Sequence, residues 1–312
     1  MKTLELIVPC YNEEEALGFF YERIDKVLSE LTGYDSSLIF VNDGSSDGTL
    51  DEIKSLAEKD ERVKYISFSR NFGKESAMLA GLTFSSAEYV GIIDADLQHS
   101  PSLIPEMLAC LENGEYDVAA ARRTDRSGEA KFKSLFSKAF YKLINSMSDV
   151  KIAEGAQDFR IMTRKVVEAI VSMREYNRFS KGIFSWVGFK TKWFEHENAE
   201  RVAGKTKWSF WSLLTYAVDG IINFSTVPLK LSFIIGAAVS FAGLIYALYI
   251  IVRTLVSGSD VPGYPSLFSA VLIIGGLILL SLGVIGEYLA RIYTEVKNRP
   301  GFLVDETNIV KK

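Results

Sequence analysis

The sequence contains one Asp-x-Asp motif, formed by Asp94 and Asp96 directly after the apolar run 90–93. Residues two apart in a strand point to the same side, so both carboxylates of a strand end can face one ligand. Two carboxylates completed by substrate phosphates are a common Mg²⁺ site, and α/β sheets bind ligands at the carboxyl ends of parallel strands. The motif therefore indicates a divalent-cation site, with a simple polar turn as the alternative.

Two other apolar runs also end in polar, turn-forming residues. Segment 8–13 includes Pro9, Tyr11 and Glu13, and segment 42–48 includes Asp43. The carboxyl ends of parallel strands lie along one edge, where all three turns would meet. A Gly-rich turn with a Ser or Asp helix cap would also explain the second segment. Convergence of three such ends favours a nucleotide site.

The elements that position these residues alternate along the first 150 residues. Strands are predicted at 4–8, 38–42, 63–68, 89–94 and 117–121, and helices at 14–31, 47–59, 74–85 and 101–113. This alternation is typical of an α/β domain with a parallel sheet. Farther along, the pattern predicts helices over 131–147 and 159–173 and a hairpin over 183–195.

Two uncharged apolar runs, 231–252 and 264–286, set the C-terminal third apart. Each is about as long as the roughly 20 residues that cross a bilayer as a helix. The sequence thus divides into an N-terminal α/β domain (1–206), an aromatic-rich interfacial segment (207–230), two transmembrane helices (231–290) and a tail (291–312). The loop 257–263 lacks Lys and Arg whereas the tail is basic, which predicts that both termini are cytoplasmic.

Composition excludes several classes of function. The 312 residues carry a net charge of −4, which argues against a nucleic-acid-binding protein. Two cysteines do not make a disulfide framework, and two histidines leave little for zinc sites or Ser-His-Asp triads. The apolar start is too short for a signal peptide.

Four segments, 8–13, 42–47, 69–75 and 94–98, together resemble the family 2 glycosyltransferases of the GT-A fold. With the two C-terminal spans, the chain resembles polyprenyl-phosphate glycosyltransferases, which include bactoprenol glucosyltransferases and dolichol-phosphate mannose synthases. The resemblance covers essentially the whole chain. It implies an α/β, Rossmann-like and mostly parallel sheet, followed by interfacial amphipathic helices and two transmembrane helices.

The resemblance also implies a role for each matched residue. The donor nucleotide would be bound by Pro9, Tyr11, Glu13, Asp43, Asp94, Gln98 and Lys74. Mg²⁺ or Mn²⁺ would be held by Asp94, Asp96 and Gln98. The catalytic residues would be Asp96 and Asp158, the latter in a Gly-x-x-Asp-Phe-Arg segment. The acceptor phosphate would be bound by Arg123, Lys133, Ser137, Arg201 and Lys205.

Some of these residues could instead have purely structural roles. The basic residues of segment 122–133 are crowded enough for a phosphate pocket, but a solvated basic face would show the same crowding. Asp158 could instead form a structural ion pair with Arg160 or Arg164. If it is functional, we expect it to position the acceptor through Arg160 or another basic group. A phosphate monoester is largely dianionic near neutral pH and needs little help from a base.

The implied activity is inverting transfer of a hexose, glucose or N-acetylglucosamine, from a UDP-sugar to undecaprenyl phosphate for modification of cell-envelope glycans. The enzyme would be a multi-pass protein in the lipid bilayer of a bacterial cell membrane and, like relatives, a homo-oligomer (tetramer). A processive polysaccharide synthase is an alternative, but its Gln-x-x-Arg-Trp segment has no counterpart because the chain has no Arg-Trp pair. A non-catalytic nucleotide-sugar sensor is a second alternative. The intact carboxylate pair, Asp94 and Asp96, argues against it.

Overall fold

The structure, a computed structural model, describes residues 1–96, 99–123, 153, 155–196, 222, 225–257 and 263–310. The N-terminal elements are β1 (Lys2–Cys10), α1 (Glu14–Glu30), β2 (Tyr34–Asn42), α2 (Thr49–Lys59), β3 (Val63–Phe68), α3 (Lys74–Phe84), β4 (Tyr89–Ile92), a 3₁₀ turn (Pro101–Leu103), α4 (Ile104–Glu112) and β5 (Val118–Arg123). The remaining elements are β6 (Ala156–Thr163), α5 (Arg164–Ser172), α6 (Ser180–Trp186), β7 (Thr191–His196), α7 (Val227–Ser257), α8 (Tyr264–Val296) and β8 (Val304–Thr307). The strand–helix alternation predicted for the first 123 residues is confirmed.

The described strands form one mixed sheet in the order β7-β5-β6-β4-β1-β2-β3-β8. Four neighbouring pairs are parallel: β1–β2, β1–β4, β2–β3 and β5–β7. Strand β6 runs antiparallel to both β4 and β5, and β8 runs antiparallel to β3. The predicted α/β class with a mostly parallel sheet is therefore confirmed, with antiparallel strands inserted beside β4 and at one edge.

Helices cover both faces of the sheet. Helices α1, α2 and α4 enclose one apolar cluster, and α3, α5 and α6 enclose the other. Helix α3 lies very close to β1, because a Cβ at Gly81 would be 2.3 Å from Cγ2 of Ile7. Any larger residue would push the helix away from the sheet. This close approach sets where the first residue of α3, Lys74, reaches the carboxyl edge.

Two predictions for the second half of the domain are wrong. The segment 159–173 is not one helix, because Ala156–Thr163 forms strand β6 and only Arg164–Ser172 is helical. Both faces of β6 are covered, so its apolar residues do not alternate with polar ones as in a half-exposed strand. The segment 183–195 is not a hairpin: it contains the end of α6 and most of β7, which pairs in parallel with β5. The helix predicted at 131–147 lies outside the described residues.

The long helices α7 and α8 contain the two predicted apolar runs. Their candidate spans, Val227–Ile250 and Ile273–Val296, have mean hydropathies of 2.1 and 2.0, and none of the described residues in them is buried in the protein. By length and composition, each helix can cross a membrane. Of the interfacial segment predicted at 207–230, the structure describes residues 222 and 225–230, and α7 already begins at Val227.

After α8 the chain returns to the sheet, a feature that the sequence reading treated as a plain tail. Strand β8 pairs with β3, and the backbone N–H of Tyr65 donates to Oδ1 of Asn308 at 2.8 Å. The ring of Phe302 stacks on that of Phe68, with centroids 5.2 Å apart. The end of the second long helix is thereby tied to the sheet edge that precedes the loop into α3.

We predict that Phe302→Ala loosens this attachment. Loss of a stacked, half-buried ring should speed amide hydrogen exchange at the β3–β8 pairing by roughly tenfold, because local opening becomes easier. Exchange is followed by mass spectrometry in peptides that contain Tyr65 and Ser69. The control is Leu303→Ala, since that side chain is 53% exposed and should leave exchange unchanged. Equal protection in both variants would show that the ring does not hold the strand.

Candidate active site

The carboxyl ends of β1, β2 and β4 lie side by side at one edge of the sheet. Cys10 is opposite Asn42 at the end of the β1–β2 ladder. The N–H of Ile93 donates to the carbonyl of Ile7 at 3.0 Å, so the chain leaves β4 next to β1. The three polar turns that follow these strands therefore share one edge, as the sequence predicts.

Hydrogen bonds join the turn after β1 to the turn after β2. The backbone of Asn12 has a φ of 52°, and its Oδ1 accepts from the N–H of Ser46 at 2.8 Å. The N–H of Glu13 donates to Oγ1 of Thr49 at 2.9 Å. These bonds fix the turn that carries three predicted donor residues, of which Tyr11 is exposed and the others half-buried: Pro9, Tyr11 and Glu13.

Asp43 organises the loop that leads into α3. Its Oδ1 accepts from the N–H of Phe72 at 2.6 Å and its Oδ2 from the N–H of Gly73 at 2.9 Å. Burial raises the pKa of Asp43, and these two bonds act in the opposite direction. Gly44, with a φ of 60°, allows close contact, since a Cβ there would lie 2.3 Å from the backbone carbon of Arg70. The nucleoside role expected of Asp43 stays a prediction.

Asp94 and Asp96 follow β4, and both are half-buried. Nε2 of His99 lies 3.9 Å from Oδ2 of Asp94. Carboxylate oxygens are ligands that Mg²⁺ and Mn²⁺ accept, so the pair fits a divalent cation. Among the described residues, no group of three or more His, Cys, Asp or Glu side chains could hold a metal. Further ligands would have to come from substrate, water or Gln98, which lies outside the described residues.

Sheet register brings Asp158 to the same place. Ile92 of β4 is opposite Arg160 of β6, and continuing this antiparallel register by two residues sets Asp94 opposite Asp158. Lys74, at the start of α3, lies between the two carboxylates. Its Nζ is 2.7 Å from Oδ1 of Asp94 and 2.6 Å from Oδ2 of Asp158. Three residues that are far apart in sequence thus form one ion-pair cluster, which we call the Lys74 bridge.

The charges of the Lys74 bridge stabilise one another. Burial disfavours the charged form of Lys74, but the two carboxylates outweigh it and raise its pKa above the ordinary value. Burial would likewise raise the pKa of Asp158, but the fields of Lys74 and then of Lys181 hold it well below its usual range. A carboxylate in this environment stays ionised and is a weak base.

Arg160 does not pair with the carboxylate of Asp158, although it is one of the two arginines suggested as ion-pair partners of that residue. Its Nη2 donates to the carbonyl of Gln157 at 2.6 Å and its Nε to the backbone carbonyl of Asp158 at 3.2 Å. Its guanidinium lies 3.5 Å from the ring centroid of Phe184, and burial lowers its pKa to about 10. The basic group that contacts the Asp158 carboxylate is Lys74. Arg164, the other suggested partner, bonds instead to residues 85 and 87.

Sequence analysis gave no role to Glu75, although it lies next to the Lys74 bridge. Its Oε2 accepts from the N–H of Ser180 at 3.0 Å and from the hydroxyl of the same residue. Burial raises the pKa of Glu75 to about 7; the bonds from Ser180 oppose this rise, and the charge of Asp158 adds to it. The contact joins α3 to α6 across 105 positions, so no local pattern could reveal it.

Most of the residues predicted to bind the acceptor phosphate are not among those that the structure describes. Arg123 is the last residue of β5, next to β6 in the sheet. The others lie outside the described residues: Lys133, Ser137, Arg201 and Lys205. The structure therefore leaves their phosphate-binding role a prediction.

Comparison with known proteins matches two sequence profiles. Glycosyl transferase family 2 matches residues 5–171, and the GtrB C-terminal hairpin matches residues 227–292. The second match covers most of α7 and α8. The two profiles thus account for the sheet domain and the pair of long helices in the order that the resemblance implies.

Curated relatives match nearly from end to end. The SfII prophage-derived bactoprenol glucosyl transferase of Shigella flexneri is 44% identical, over 98% of this chain and 98% of that protein. The prophage bactoprenol glucosyl transferase homolog of Escherichia coli (strain K12) is 43% identical, over 96% and 98%. A solved glucosyl-3-phosphoglycerate synthase from Mycobacterium tuberculosis has a TM-score of 0.47 at 18% identity, covering 71% of this chain and 78% of that one. From the family profile and the full-length relatives, we conclude that the chain belongs to glycosyl transferase family 2.

Proposed function

We propose that this glycosyltransferase moves one hexose from a UDP-sugar to undecaprenyl phosphate, with inversion at the anomeric carbon. The observation that carries the proposal is the Lys74 bridge, which joins Asp94 of the nucleotide edge to Asp158. Relatives that match the whole chain are named bactoprenol glucosyl transferases, which supports a polyprenyl acceptor. Glucose and N-acetylglucosamine are the candidate sugars.

The donor would lie along the shared edge of the sheet. The exposed Tyr11 offers a surface for the base, and Asp43 shapes the pocket by holding the loop 70–73. Asp94 and Asp96, with Gln98, would hold Mg²⁺ or Mn²⁺ against the donor diphosphate. When bound, the metal neutralises charge that grows on the leaving diphosphate. Lys74 supplies a second positive charge beside Asp94 at this position.

The transfer needs one displacement. A phosphate oxygen of the acceptor attacks the anomeric carbon, the bond from that carbon to the donor diphosphate breaks, and UDP leaves with the bonding electrons. Because the acceptor monoester is already largely dianionic near neutral pH, no proton has to be removed. Asp158 therefore acts by fixing Lys74 between donor and acceptor rather than as a base, in keeping with its depressed pKa.

The proposed location is the cytoplasmic leaflet of the bacterial membrane, where UDP-sugars are available. Helices α7 and α8 would form a transmembrane hairpin with a short outer loop. The pairing of β8 with β3 supports this arrangement, because it requires the end of α8 to be on the same side as the sheet domain. A homo-oligomer, a tetramer by resemblance, belongs to the same proposal.

The direct test uses purified full-length protein, undecaprenyl phosphate, Mg²⁺ and a panel of UDP-hexoses labelled in the sugar. We expect one labelled sugar to enter the lipid fraction, with a β linkage formed from the α-linked donor. Label that stays with UDP for every donor would contradict the proposal. A product longer than one sugar would favour a processive synthase instead.

Two controls connect that transfer to the carboxylate edge. Excess EDTA should abolish it, and Asp96→Asn should lower it by at least roughly 100-fold, because the charge on the leaving group is no longer neutralised. The exposed Asp305 on β8 provides a matched variant, Asp305→Asn, that should keep full activity. Undiminished transfer in EDTA would show that the reaction does not need a divalent metal.

The role of Asp158 is tested by the pH dependence of Asp158→Asn at saturating substrates. We expect a loss of roughly 100-fold from misplacement of Lys74. The carboxyl has a depressed pKa and is ionised across the range, so the loss should be similar at about pH 6.5 and about pH 8.5. A deficit that shrinks strongly as pH rises would identify Asp158 as a general base.

A further inference from the structure

A cavity of about 840 Å³ lies against the Lys74 bridge. One wall is the loop 70–73 with the start of α3, and the other is formed by residues 176–178 of the connection between α5 and α6 and by Lys181 in the first turn of α6. Asp158 lines the cavity, whereas Asp94 and Asp96 do not. The cavity therefore touches the reaction centre without including the donor carboxylates.

Cations outnumber carboxylates in its lining, which has four basic and two acidic residues: Arg70, Lys74, Arg178, Lys181, Glu75 and Asp158. Both carboxylates already have partners, since Glu75 accepts from Ser180 and Asp158 pairs with Lys74. Such a lining favours an anion and disfavours a neutral sugar alone.

Two of these basic side chains have donor groups that are not used within the described part of the protein. Within the described part of the chain, Lys181 forms no ion pair, although it is near enough to Asp158 to lower the pKa of that carboxyl. Arg178 donates through Nη1 to the carbonyl of Met173 at 2.6 Å, but its Nε is buried with no hydrogen-bond partner among the described residues. A buried donor without a partner is costly, so a rotation of the Arg178 side chain that lets a bound anion accept from Nε would be favourable.

The cavity also lies beside the end of the second membrane-length helix. The N–H of Tyr176 donates to Oε1 of Glu295 at 2.8 Å, and Nδ2 of Asn177 donates to Oγ1 of Thr294 at 3.0 Å. Both acceptors are in the last turn of α8, and Gly301 after that helix completes the lining. An anion that reaches this cavity along α8 would come from the membrane surface.

We propose that this cavity binds the phosphate of the polyprenyl acceptor, with Lys181 and Arg178 as its anchoring cations. The assignment rests on the proposed function and adds two binding residues to those expected from the sequence. A phosphate held there would lie next to Lys74 and Asp158. Lys74, which also pairs with Asp94, would then lie beside the attacking phosphate.

The test measures the KM values of full-length variants for undecaprenyl phosphate and for the UDP-sugar. Lys181→Gln and Arg178→Gln should each raise the acceptor KM by about tenfold, the usual effect of losing a charge-assisted contact. The donor KM should stay within about twofold of the wild-type value. Arg174→Gln is the matched control, because Arg174 is exposed on the same connection and does not line the cavity.

A second readout does not depend on turnover. Acetylation of Lys181 by an amine reagent, followed by mass spectrometry, should be slowed by undecaprenyl phosphate in mixed micelles and not by dioleoyl phosphatidic acid. Arg178 also supports the end of α5, so Arg178→Gln could unfold locally. Lys181→Gln and the protection of Lys181 keep the proposal testable in that event.

Three results would overturn the proposal. The donor KM could rise in place of the acceptor KM, which would assign the cavity to the donor. The acceptor KM could stay unchanged in both variants. Phosphatidic acid could protect Lys181 as well as the acceptor does, which would indicate a general headgroup site. Wild-type transfer is measured first: its absence would contradict the proposed function, whereas normal wild-type transfer with an unchanged acceptor KM would contradict this inference alone.

Discussion

One lysine held between two carboxylates is the interaction on which the site depends. Asp94 and Asp158 come from antiparallel neighbours, and the register of β4 and β6 sets them opposite each other. Two such carboxylates would repel if nothing lay between them, and Lys74 supplies the balancing charge. Its position depends in turn on α3 lying close to β1, which Gly81 permits. Strand order, register and helix packing are therefore all constrained by this cluster.

The same cluster connects the nucleotide turns to the basic cavity. Asp94 and Asp96 belong to the nucleotide turns, Asp158 and Lys181 line the basic cavity, and Lys74 contacts both Asp94 and Asp158. Glu75 joins α3 to α6 through Ser180, so the two walls of that cavity are held together next to the bridge. An inverting transfer needs attacking and leaving groups on opposite sides of the anomeric carbon. In our proposal, the donor at the nucleotide turns and the acceptor phosphate in the basic cavity would meet beside Lys74.

Sequence patterns predicted the strands and helices whose formation depends on residues close together in the chain. Alternation of apolar runs and amphipathic stretches gave the first five strands and four helices, and the strand end at Asp94 gave the edge where the site lies. Strand β6 was misread as helix because both of its faces are covered and its sequence does not alternate. Neither the contact of Glu75 with Ser180 nor the pairing of β8 with β3 has a local signal, because their partners are distant in sequence.

The most direct test of the Lys74 bridge is a double-mutant cycle with Lys74→Met and Asp158→Asn, measured as kcat/KM for sugar transfer to undecaprenyl phosphate. If the two residues act as one unit, the second substitution adds little once the first is made. The loss in the double variant should then lie within about threefold of the larger single loss. A double-variant loss equal to the product of the two single losses would show that Lys74 and Asp158 act independently and would contradict the account.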